Sequence, residues 1–139
     1  MNNTDRTDTI FFMLLEAGRA QFARLEEALK PVGLSAAKYR VLAQLAEAKE
    51  PVPLRQLAEE QACVASNVTT LVDRLEADGL VRRIDDRSDR RSKRAELTRL
   101  GKEKAAEGAK VVADVEAAFA DSLGPTERLA LEQVLSALK

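Results

Sequence analysis

The chain has 139 residues, 45% of them apolar and 32% charged, with a net charge of −1. That length suits one domain, and that balance excludes compositional disorder, collagen-like repeats and a membrane protein. There is no histidine, only one cysteine (Cys63), and the six glycines stand singly. Histidine-based nucleophile pairs, disulfide frameworks, thiolate zinc clusters and glycine-rich phosphate loops are therefore absent. Nothing in the sequence proposes an enzyme, a cofactor or a metal site. The longest apolar run, Ile10 to Leu15, is far short of the roughly 20 residues that span a bilayer. No basic-then-apolar leader precedes it, so the expected location is the cytoplasm, with no membrane partner.

Residues 1–8 are polar and read as frayed. From Thr9 to Lys30 the residues Phe11, Leu14, Leu15, Gly18, Phe22, Leu25 and Leu29 keep a 3-4 spacing, which predicts a helix stopped by Pro31 and Gly33. Ser35 reads as the N-cap of a second helix, with Leu34 and Tyr39 in staple positions and Tyr39, Leu42, Leu45 and Ala46 inward. Residues 49–53 read as a break. Leu54, Leu57 and Ala58 mark a short third helix ending near Gln61. Cys63 and Val64 read as a turn, and a fourth helix follows from about Ala65 to Asp78, burying Val68, Leu71, Val72 and Leu75. Gly79 closes it. Leu80 to Ile84 and Lys93 to Leu97 read as the strands of a hairpin. Thr98 caps a long helix to about Ser122, with Val112, Val115 and Phe119 on one face. Gly124-Pro125 stops it and starts a last helix bearing Leu131, Val134, Leu135 and Leu138.

The third and fourth helices, joined by a short turn, form a helix-turn-helix unit, whose second helix can enter a DNA major groove. Ser66, Asn67, Thr69 and Thr70 fall on its outward, N-terminal part. They are short hydrogen-bonding side chains that can approach base edges, although such a cluster can also serve only as a cap. The loop Asp85 to Ser92 has no apolar residue and must project into water. Between Arg82 and Arg94 seven cations face three aspartates, a net +4 in 13 residues. Arg87, Arg90, Arg91, Lys93 and Arg94 are expected near the tip, where they could straddle a backbone or enter a minor groove. A charged loop alone can be merely solvated; one directly after a helix-turn-helix makes a winged helix.

The run from Ser66 to Arg83, containing "LVDRLEADGLVRR", followed by Asp86-Arg87-Ser88-Asp89-Arg90-Arg91-Ser92 and Leu97-Thr98-Arg99-Leu100-Gly101, resembles the MarR family of transcriptional regulators. The resemblance extends to Leu34–Leu45 and to the helices at both ends. It implies a mainly α fold with a small β-hairpin wing: a winged helix-turn-helix with N- and C-terminal dimerisation helices. The whole chain, 1–139, would be a single domain of this type. Its DNA-binding lobe would span about 34–99 and its dimerisation helices about 9–30 and 100–139. The implied function is a homodimeric regulator on double-stranded DNA with a pseudo-palindromic operator, a repressor released by a small-molecule ligand. Ser66, Asn67, Thr69 and Thr70 would meet the major groove, and Arg74 a phosphate or base. Asp89 would orient the wing through a salt bridge to an arginine, and Arg90 or Arg91 would enter the minor groove. The chain departs from the family in having Val64-Ala65 before the recognition helix, with no polar turn residue and no early cation there.

The apolar arc of the first helix and the faces of the last two need cover, which a two-fold dimer supplies; folding back on the same subunit is the alternative. Phe11, Phe12, Met13, Phe22 and Tyr39 read as core and dimer packing. They could also line a crevice of the kind in which family members bind small aromatic acids. Phe12, Met13 and Tyr39 would then be the pocket, with Arg40 as counter-ion to an aromatic or anionic effector. Cys63 reads as a buried structural thiol rather than a redox sensor. The competing function is a helical protein–protein adaptor that uses a winged helix without DNA; it would need a neutral or acidic recognition surface.

Overall fold

A computed structural model describes the backbone of residues 3–60, 68–86, 88, 89 and 91–139, with side chains from residue 9 onward. The elements are α1 (Asn3–Leu29), a 3-10 turn (Lys30–Val32), α2 (Ala36–Glu47), β1 (Val52–Pro53), α3 (Leu54–Glu60), α4 (Val68–Ala77), β2 (Val81–Asp85), β3 (Lys93–Leu97), α5 (Arg99–Asp121) and α6 (Pro125–Ala137). The fold is thus mainly helical with a small antiparallel sheet, as the sequence pattern predicts. No helix among the described residues is long and apolar enough to cross a membrane.

Local chemistry sets the boundaries. Ser35 Oγ accepts the Lys38 N–H at 3.1 Å, and Glu26 of α1 accepts the Ala36 N–H at 2.7 Å, so two side chains cap α2. After α4, Gly79 takes φ +76°; its N–H donates to the Glu76 carbonyl, and Leu80 N–H to the Leu75 carbonyl. That pair of bonds is a Schellman closure, which needs the left-handed conformation glycine reaches without strain. It also explains why the strand starts at Val81 rather than at the expected Leu80, which is spent in the closure. Thr98 then caps α5, accepting the Gly101 N–H at 3.0 Å. Its hydroxyl donates to the Gly79 carbonyl at 2.6 Å and its N–H to the Leu80 carbonyl at 3.0 Å. Thus the start of α5 is laced to the turn after α4.

One core holds the middle of the chain. Leu42 and Val41 of α2, Leu57 of α3, and Val72 and Leu75 of α4 pack with Val52, Val81 and Ala95 of the sheet. α5 crosses α1 and α2, and Tyr39 lies over Gly108, where even a Cβ would come within 2.7 Å of the ring.

Three expectations need correction. Among the described residues the first helix already runs from Asn3, not Thr9, so polar residues 3–8 belong to it. Ala46 is exposed and Val41 takes its place inside. The expected hairpin is a three-stranded sheet in the order β1-β3-β2, because residues read as a break pair with β3: Val52 opposite Ala95 and Pro53 opposite Arg94. Proline hid that strand, although at a sheet edge its missing donor is tolerated.

Candidate nucleic-acid interface

α4 is two-sided. Val68, Val72 and Leu75 are buried and Leu71 is half-buried, whereas Thr69, Thr70 and Arg74 are exposed. Thr70 and Arg74 are four residues apart, one turn along the same face. Ser66, Asn67, Cys63 and the Val64-Ala65 turn lie outside the described residues.

Next to α4 stands the wing. β2 and β3 pair in register from Val81 with Leu97 to Asp85 with Lys93. Asp86 N–H donates to the Ser92 carbonyl at 3.1 Å and closes the base of the loop. Asp86 also accepts from the Ser88 N–H (3.0 Å) and hydroxyl (2.8 Å), and pairs with Arg94 at 3.2 Å. Those donors, Ser88 first and Arg94 less, hold its carboxyl below the ordinary value.

Asp89 accepts the Arg91 N–H at 2.9 Å and the Ser92 hydroxyl at 3.1 Å. Its carboxylate therefore fixes loop backbone, while the ion pair with an arginine seen among the described residues of the loop belongs to Asp86. Arg91 is exposed. Arg87 and Arg90 lie outside the described residues.

Lys93 and Arg94 correct the expectation of a cluster at the tip, because both lie in β3. Lys93 pairs with Asp85. Arg94 pairs with Asp86 and donates to the Pro51 carbonyl at 3.1 Å, tying the wing to the residue before β1. Two more cations of the basic segment are also matched, by carboxylates outside it. Arg82 pairs with Glu96 at 2.6 Å, and Arg83 with Asp73 and Glu76 of α4. Counting charge along residues 82–94 missed these partners. The Arg82–Glu96 pair could have been found by folding the two strands about the centre of their loop; the Arg83 contacts span two elements and leave no such signal.

The residues considered for an effector pocket are not brought together. Tyr39 borders a recess of about 480 Å³ between α2, α5 and the sheet, with Lys49, Arg82 and Lys102 at its edge. Phe22 borders another of about 350 Å³ between α1 and α5, with Phe119 opposite. Phe12, Met13 and Arg40 line neither recess and are exposed.

The MarR-family sequence model matches residues 32–92, which span α2 to the wing. No curated protein matches the chain significantly. Among solved structures, AbsC, a MarR-family transcriptional regulator from Streptomyces coelicolor, is 30% identical, with 99% of this chain and 93% of AbsC covered and a TM-score of 0.84. CouR from Rhodococcus jostii RHA1, solved bound to p-coumaroyl-CoA, is also 30% identical, covering 95% of this chain and 92% of CouR at a TM-score of 0.78. MepR of S. aureus, solved as a DNA complex, shares only 16% identity, covering 91% of this chain and 93% of MepR, and shows the common fold at a TM-score of 0.83. With AbsC 30% identical and matched along nearly the whole of both chains, the chain belongs to the MarR family of winged helix-turn-helix, DNA-binding transcriptional regulators.

Proposed function

We propose that this regulator is a cytoplasmic homodimeric repressor that grips a pseudo-palindromic operator and releases it when a small aromatic or anionic effector binds. It acts by binding, not catalysis. The lobe of about residues 34–99 contacts DNA, and the helices of about 9–30 and 100–139 form the dimer. The observation that carries the DNA reading is the exposed row Thr69, Thr70 and Arg74 on a helix whose opposite side is locked in the core. Ser66 and Asn67, which precede α4 in the sequence, read bases with that row. The wing, with Asp89 holding its backbone, supplies Arg87, Arg90 and Arg91 to DNA, and Arg90 or Arg91 enters the flanking minor groove. Lys93 and Arg94 add their charge from the wing's base.

The dimer reading is supported by apolar surface that the chain does not cover. Six consecutive residues, Ile10 to Leu15, are exposed, Ile10 by 66% and Phe12 by 61%. Six residues turn more than once round a helix, so no side of that stretch is covered by its own subunit. Leu129 and Val134 of α6, and Leu138 just after it, are exposed as well. The effector reading is supported by the ligand-bound CouR relative and by the recess bordered by Tyr39.

The test is to select duplexes from random DNA with the purified protein, then compare a selected duplex with a scrambled one. Asn67→Ala or Thr69→Ala should cost about 1–3 kcal/mol on the selected duplex and less on the scrambled one. Equal weakening of both would mean that these residues do not read bases.

A further inference from the structure

Arg55 of α3 and Arg91 of the wing line one recess of about 430 Å³, together with Asp86, Ser92, Lys93 and Arg94. Four cations there face one carboxylate. Two of the four are already matched, Arg94 by Asp86 at 3.2 Å and Lys93 by Asp85. Among the described residues, neither Arg55 nor Arg91 has an ion pair.

Two uncompensated guanidinium groups bordering one recess repel each other until an anion enters between them. Each presents a planar fork of N–H donors. Such a fork pairs well with carboxylate or phosphate, and a tetrahedral phosphate has oxygens enough to engage two forks at once. The site is also partly preorganised, since Asp89 holds the Arg91 backbone N–H at 2.9 Å. β1 and β3 border this recess, while α4 packs on β2.

We propose that this recess is a phosphate-binding site in which Arg55 and Arg91 hold a single phosphate group. That the phosphate is part of a DNA backbone rests on the function proposed above. The same chemistry would hold a phosphate carried by a small molecule.

The experiment follows the arginine Nε–H NMR signals of the full chain during two titrations, one with inorganic phosphate and one with a selected duplex. The salt dependence of duplex binding is measured alongside, for the wild type, Arg55→Gln and Arg55→Lys. The Arg55 and Arg91 signals should shift together with either probe. In Arg55→Gln the phosphate-induced shift of Arg91 should vanish. Its log-affinity against log-salt slope should fall by about 1.8 for two subunits, at about 0.9 per lost phosphate contact, on selected and scrambled DNA alike. Arg55→Lys should keep most of the slope, and the melting temperature should stay put because Arg55 is exposed.

If phosphate moves both signals but Arg55→Gln leaves the duplex slope unchanged, the site stands and DNA as its source is overturned. If the wild type binds no duplex at all, the proposed function fails, while the phosphate titration still decides the recess. If neither probe moves Arg55 and Arg91 together, the phosphate site itself is overturned.

Discussion

Arg83 grips Glu76 twice: its backbone N–H donates to one carboxylate oxygen at 3.0 Å and its guanidinium to the other at 3.2 Å. The same guanidinium pairs with Asp73 and donates to the Thr69 carbonyl at 3.4 Å. One side chain of β2 therefore straps the wing to the exposed face of α4. Asp73 and Glu76 are about half exposed, so the pairs add little to stability, ~0–1 kcal/mol each. Their consequence is angular, fixing how the wing stands relative to the groove-facing residues.

Arg83→Ala should therefore lower affinity for a selected duplex while moving the melting temperature by only a few degrees. Its salt slope should match the wild type, because a guanidinium already matched by carboxylates displaces no counterions. A slope flattened by about 2 units would show instead that Arg83 touches phosphate.

Gly101→Ala should destabilise the fold strongly. A Cβ at that position would lie 1.9 Å from the Leu80 carbonyl oxygen, and backbone cannot step aside as a side chain can. Lifting α5 off the Leu80 turn should cost about 1–3 kcal/mol or more, read as a shifted midpoint in chemical denaturation. An unchanged midpoint would mean that α5 does not approach this turn so closely.

Deleting residues 126–139 should leave an aggregating or unfolded chain. The apolar surface of α1 would lose part of its cover in a dimer, and exposed apolar patches of that size drive association. Light scattering and circular dichroism decide it. A well-folded soluble monomer would count against the dimer.

Asp86 gives a pH prediction. Ser88, and then Arg94, hold its folded-state carboxyl below the ordinary value of 3.8. A depressed carboxyl contributes stability that is complete above the ordinary value and is lost as pH falls through the folded one. An NMR titration should give a midpoint below 3.8, and Ser88→Ala should move it back upward. A midpoint at or above the ordinary value in the wild type would remove Ser88 and Arg94 as the anchors of the loop.

Much of this architecture is legible in the sequence because local signals fix it. Ser35, Thr98, Gly33 and Gly79 mark their helix ends by caps and left-handed closures, and β3 lies where alternation predicts. What was not legible depends on contacts between distant segments. β1 carries Pro53 and is recognisable as a strand only through its pairing with β3. Arg83 and Arg94 look like free cations until Asp73, Glu76 and Asp86 are brought beside them. Arg55 carries no signal in α3, and only the fold places it opposite Arg91. The outward row of α4 was readable because its buried positions, Val68, Val72 and Leu75, fix which side is left over.

If this protein holds DNA with its wing, the salt slope of duplex binding will report it. Log affinity should fall linearly with log salt, by about 0.9 per phosphate neutralised. Replacing Arg90 and Arg91 by Ala removes four cations from a dimer. If all four touch DNA, the slope should flatten by about 3–4 units, with the melting temperature barely changed. Asp89→Ala removes no cation, yet should weaken binding by freeing the Arg91 backbone that it holds. The measurement is the slope for the wild type and both variants, by fluorescence anisotropy on one duplex. A flattened slope in the double-arginine variant is the result predicted here. An unchanged slope would contradict it and leave the wing a solvated loop.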